Sequence, residues 1–154
     1  MIEHYDDTGL IATEWEPIEV VLPRAIANIN SMRDALIEGG FDYAKDSSTY
    51  RIQTRPSDRE NITTLGQMAT LAVMSGVEVG DLDWLGNGQP FVFLTADNQV
   101  LPMDAHDMMS MFRQAMAFKS AATFNARSLK DAVLAATTDQ EVSAIDLNAG
   151  WPGE

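Results

Sequence analysis

The chain has two histidines, and one of them sits among groups that chemistry could use. His106 lies between Asp104 and Asp107. General acid–base catalysis needs such an imidazole oriented by a carboxylate, and facing a nucleophile or water in a pocket. Without a pocket the trio lowers no barrier, and the sequence reads His106 as an exposed histidine at the start of a helix. His4 falls in an acidic terminal stretch and carries less.

Asp81, Asp83, Asn87, Asp97 and Asn98 are the oxygen donors that calcium takes. An EF-hand loop wants Asp or Asn at its fifth position and Gly at its sixth; counted from Asp81 the fifth is Leu85, so these residues read as surface loops. The glycines around Gly76–Gly80 and Gly86–Gly88 are followed by no Gly-Lys-Ser/Thr, and neither Gly-x-Gly-x-x-Gly nor Gly-x-Ser-x-Gly occurs. The glycosylation sequon Asn61-Ile62-Thr63 lies inside an expected helix and is given no weight. No catalytic, cofactor-binding or metal residue is assigned.

The elements that would hold these residues centre on one long helix. It starts near Met103-Asp104-Ala105, with Asp104 as N-cap and Asp107 in the first turn, and runs to about Ala136 without Pro or Gly. Ala105, Met108, Phe112, Ala115, Lys119, Ala122, Ala126, Leu129 and Val133 form a continuous stripe at 3–4 spacing. At ~1.5 Å per residue this helix is roughly 45 Å long. Two readings of the stripe stay open: packing on the chain's own hairpins, or self-association as a coiled coil, which the many alanines and Lys119 in the seam weaken.

Upstream, residues 1–22 read as an arm that docks through Trp15 and a short strand Ile18–Leu22, on its own core or on a neighbour. Pro23 fits the first turn of a helix that ends at Gly39-Gly40. Phe41–Tyr43 and Thr49–Gln53 alternate as a hairpin around Lys45–Ser48. Ser57 and Glu60 form a capping box for a helix carrying Ile62, Leu65, Ala69, Ala72 and Val73, closed by Gly76. A loop around Trp84 leads to a second hairpin, Phe91–Leu94 and Gln99–Leu101. After the long helix, Thr138 and Glu141 open a short helix, and a tail ends at Gly150-Trp151-Pro152.

The fold class is therefore α+β: a small antiparallel sheet of two hairpins packed with helices around one core, the longest helix near the C-terminus. The expected division is an arm at 1–22, the main domain at 23–136, and a short helix with tail at 137–154.

The chain has 154 residues, 45% of them hydrophobic, which is enough for a sizeable core. Its formal net charge of -13 repels nucleic-acid phosphates and anionic membrane, so neither is an expected partner. No cysteine is present, which removes disulfides and thiolate metal sites. No run of eighteen or more apolar residues offers a transmembrane helix, and the acidic start lacks a signal peptide's basic region. The expectation is a protein made in a cytoplasm and kept there or carried in an assembly.

Nine methionines are many for this length. Met103, Met108, Met109, Met111 and Met116 cluster early in the long helix, where at ~100° per residue they cannot all face one core. Methionine suits surfaces that adapt to a partner. The contact residues expected from this pattern and from the two ends of the chain are Trp15, Ile18, Val20, Met109, Met111, Met116 and Trp151.

An ordered series of short motifs adds a resemblance. The Arg24–Gly40 helix, Tyr50-Arg51-Ile52-Gln53-Thr54, Ser57 with Asn61-Ile62, the Phe91–Leu94 strand, Thr95-Ala96-Asp97-Asn98, Leu129-Lys130-Asp131 and Gly150-Trp151-Pro152 together resemble a domain of unknown function that recurs in bacteriophage tail-fibre and tail-fibre-assembly proteins. The resemblance spans residues 24–152. Where that family usually carries Trp in the strand before the Asp-Asn turn, this chain has Phe91 and Phe93.

The resemblance implies a non-enzymatic structural protein of the distal tail or tail-fibre region. It would be built into the virion and act through contacts with other tail or fibre proteins or with copies of itself. The alternative is a tail-fibre assembly chaperone. A glycan hydrolase would need two carboxylates across a groove, and no spacing points to such a pair.

Overall fold

The computed structural model describes the backbone of residues 2–6 and 9–153, and side chains other than those of residues 2 and 4–14. The side chain of His4 therefore lies outside the described residues. The chain opens with an antiparallel hairpin, β1 (Ile2–Asp6) and β2 (Gly9–Glu14), whose register shifts between His4 and Tyr5.

Helix α1 then runs from Ile18 to Glu38, so Ile18–Leu22 is helical and not the expected strand. The reason is periodicity: Ile18, Val21, Leu22, Ala25 and Ile29 fall three or four apart, one stripe that starts upstream of Pro23. The Pro17 carbonyl accepts the N–H groups of Val20 and Val21 and closes the first turn. Pro23 thus sits inside the helix, where it deprives the Glu19 carbonyl of one partner; Glu19 is exposed to water, which can take that place. The expected boundary at residue 22 accordingly falls within a helix. Gly39 and Gly40 end α1, with Gly40 at φ +93°.

β3 (Phe41–Lys45) and β4 (Ser48–Ile52) form the expected first hairpin. Its two turn residues, Asp46 and Ser47, both have positive φ, as a two-residue turn matching the strand twist requires. Helix α2 (Pro56–Met74) starts earlier than the expected Ser57 cap. Pro56 occupies the first helical position, where a missing N–H costs nothing, and the backbone N–H of Arg55 donates to Asp58 Oδ2 at 3.1 Å. Its end is the one expected: Gly76 N–H bonds the Val73 carbonyl and Val77 N–H the Ala72 carbonyl.

β5 (Val92–Leu94) and β6 (Val100–Pro102) form the third hairpin, the second of the two expected from the sequence. The hairpins do not join: each is its own two-stranded sheet. Helix α3 (Ala105–Ala135) and the short helix α4 (Asp139–Ser143) complete an α+β fold with one long helix near its C-terminus. No helix among the described residues is long and apolar enough to cross a membrane.

The chain forms two compact units in place of the single expected core. One comprises the residues up to Asp34 with Ala122–Pro152, the other Ala35–Ala121. In the second unit both hairpins, α2 and the first half of α3 enclose Phe41, Tyr43, Ile52, Ile62, Trp84, Met103, Met108 and Met111. In the first, the buried residues are Val21, Ala25 and Ile29 of α1, Ala122, Ala126 and Val133 of α3, Val142 of α4, and Trp151. The α3 stripe is thus covered by its own chain, apart from exposed Lys119, which decides for internal packing over a coiled-coil seam.

Candidate interaction surfaces

The start of α3 is a structural junction. Asp104 is 5% exposed. Its Oδ1 accepts the Asp107 N–H at 2.8 Å and its Oδ2 accepts the Gly80 N–H at 2.6 Å. One carboxylate therefore caps the helix and holds the preceding loop. Burial raises its pKa, but the N–H groups of Asp107 and Gly80 stabilise the anion more, and the net shift is downward.

His106 is half-buried, not exposed as the sequence suggested. Its Nε2 lies 3.2 Å from the Val77 carbonyl, and a carbonyl only accepts, so that nitrogen carries the hydrogen. The imidazole is a bridge from α3 to the residue just past α2. Asp107 meets Lys45 Nζ at 2.9 Å, and its backbone carbonyl accepts the Tyr43 hydroxyl at 3.1 Å. Burial, then the neighbouring Asp107 charge, pushes the Tyr43 hydroxyl up to about 12. Hydrogen bonds to Asp46 and Asp107 hold Lys45 protonated.

The oxygen-rich loop is closed by its own carboxylates. Asp83 Oδ1 accepts the N–H groups of Asn87 and Gly88, both at 3.0 Å, and Asp81 Oδ1 accepts that of Asp83 at 2.9 Å. Among the described residues no three His, Asp or Glu side chains gather as a metal ion would need. Trp84 anchors this loop: it is 7% exposed, and its Nε1 donates to the Met103 carbonyl at 3.1 Å.

In the first unit, Trp15 is 43% and Val20 51% exposed, while Ile18 is half-buried. Trp151 is buried, with Nε1 donating to the Leu147 carbonyl at 2.9 Å, so it is an anchor of its own tail and not a free contact. In the second unit Met111 is fully buried, and Met109 and Met116 pack half-buried against the core. Of the three methionines expected as contacts, Met111 is turned inward, because core residues surround the first half of α3 on more than one side.

The surface that is left apolar lies elsewhere. Met68 (46% exposed), Leu71 (64%) and Met74 (79%) occupy α2, and Val79 follows it. Val92, Leu94 and Val100 form the outer face of the β5–β6 hairpin, with Leu94 directly opposite Val100. Beside this hairpin a groove of about 380 Å³ is lined by Leu65, Phe91, Phe93, Gln53, Asn61 and Asn98, among others. In the first unit Phe124 and Leu134 are exposed on α3. The signal for α2 was present: from Asn61 to Val77 no residue is charged, and apolar residues fall on both sides of the helix.

No curated protein and no solved structure matches the chain. The family described as Domain of unknown function (DUF4376) matches residues 21–148, which takes in every element from α1 to α4 except the first turn of α1. With the greater part of its length matched, the chain belongs to the DUF4376 family.

Proposed function

We propose that this protein is a non-enzymatic structural component of a bacteriophage tail, in the distal tail or tail-fibre region. It would be made in the host cytoplasm and act by protein–protein contact. The observation that carries this reading is the ordered motif series that resembles tail-associated proteins, from Tyr50–Thr54 through Thr95–Asn98 to Gly150-Trp151-Pro152. The geometry supports contact as the mode of action. Large apolar side chains stand exposed in each unit, on a chain whose formal charge is -13. Quantitative mass spectrometry of purified virions tests it. The expected result is a fixed ratio to the major tail-tube protein; absence from the particles overturns the reading.

One observation favours a second reading, a fibre-assembly chaperone. Met68 and Met74 are exposed thioethers on flexible stems, which can adapt to an incompletely folded client. Co-expression with fibre protein separates the two. A chaperone raises the yield of soluble fibre and is missing from finished particles.

A further inference from the structure

We propose that α2 is the contact through which two copies of this chain pair. Met68, Leu71 and Met74 lie on the face of α2 opposite the buried Ile62, Gly66 and Ala69. Their exposure runs from 46% to 79% and rises toward the end of the helix. Val79, 77% exposed, extends the apolar run past Gly76. Large apolar side chains grouped and exposed in this way mark contact sites.

The occupant follows from charge. At -13 per chain, most contacts between two copies set like charges against each other. In a two-fold contact the residues near the axis face their own copies, so any charge there repels itself. The segment from Asn61 to Val77 is free of charge, which is what that symmetry requires. From Met68 to Met74 the face presents no acidic residue that would hold a basic partner; exposed Glu60 and Glu78 lie beyond its two ends.

A stable pair needs ~800 Å² from each partner. The apolar stripe would form the core of such a contact, and exposed Glu60, Thr64 and Gln67 of α2, with Ser75 just past its end, the polar rim. This inference does not depend on the tail reading.

Sedimentation equilibrium of the full chain tests it, at about 0.05 M and about 0.5 M salt, over which screening of surface charge becomes strong. The expected result is a dimer that tightens as salt rises, because the contact is apolar and the remaining surfaces repel. Leu71→Glu and Met74→Glu, checked for folding by circular dichroism, should each weaken the dimer at least about tenfold (~1.4 kcal/mol). Leu71→Gln, uncharged and milder, should weaken it less but in the same direction. Phe124→Glu, on α3, should leave it unchanged. A chain that stays monomeric at both salts overturns the proposal. So does a dimer that loosens with salt, or one that Phe124→Glu disrupts while folded Leu71 variants do not.

Discussion

Gly66 of α2 and Phe112 of α3 meet so closely that a Cβ added at Gly66 would stand 2.3 Å from Phe112 Cγ. The absent side chain is therefore what lets the two helices approach. Alanine improves helix propensity at an exposed glycine by about 1 kcal/mol, but here that gain is outweighed by overlap with a ring held in the core. Gly66→Ala should destabilise the protein by about 1–3 kcal/mol in urea denaturation. Pairing it with Phe112→Leu should recover little of the loss, since leucine keeps the Cβ and Cγ atoms that the added Cβ would meet at 2.5 and 2.3 Å.

Gly40 and Gly76 share a left-handed backbone, at φ +93° and +92°, but differ in surroundings. A Cβ at Gly40 would lie 2.3 Å from the Ile52 carbonyl oxygen, whereas at Gly76 nothing lies within 4 Å. Gly76→Ala should cost only the backbone strain, about 1–2 kcal/mol. Gly40→Ala should cost more and disturb the pairing of Phe41 with Ile52. Thermal unfolding of both variants, side by side, checks the order.

Asp104 makes stability depend on pH in a definite direction. Its folded pKa lies below its unfolded value, so its contribution is complete above the ordinary carboxylate range and disappears as pH falls through the folded pKa. Asp104→Asn keeps a capping oxygen but removes the charge. The difference in unfolding free energy between the natural chain and this variant should be largest near neutrality and shrink in acid. Asp104→Ala, which loses the cap as well, should cost about 1–2 kcal/mol at neutral pH.

The three tryptophans report on different places. Trp84 and Trp151 are each 7% exposed, while Trp15 is 43% exposed. Acrylamide should quench the Trp15 fluorescence strongly and the other two weakly. Truncating Trp151 to Ala removes a buried ring and its bond to Leu147, with an expected loss of about 3–5 kcal/mol. A Trp15→Ala change should move stability far less.

Much of this architecture was legible because its signals are local. The Asp104 cap, the Gly76 stop, the Thr138 cap and both hairpins after α1 are written within a few residues of where they act. The start of α1 is less legible, because Pro23 is a first-turn signal that competes with the stripe at Ile18, Val21 and Leu22. Met111 and Trp151 were read as contacts because sequence shows which face a residue takes on its element, not how many sides of that element are covered. The exposure of Met68, Leu71 and Met74 is hidden for the complementary reason: Ile62, Gly66 and Ala69 already give α2 an inward face, and an apolar residue on the other side carries no local mark of being uncovered.

Each of the three sheets joins strands adjacent in the chain: Ile2 opposite Glu14, Phe41 opposite Ile52, Val92 opposite Pro102. Among the described residues, no strand waits for a distant segment before it can pair. Backbone pairing then requires only short loops to close, a search of low contact order. Refolding from denaturant should accordingly protect the strand amides first, ahead of the packing of α1 on the second half of α3, where Lys130 Nζ meets Asn30 Oδ1 at 3.2 Å across 100 residues of chain.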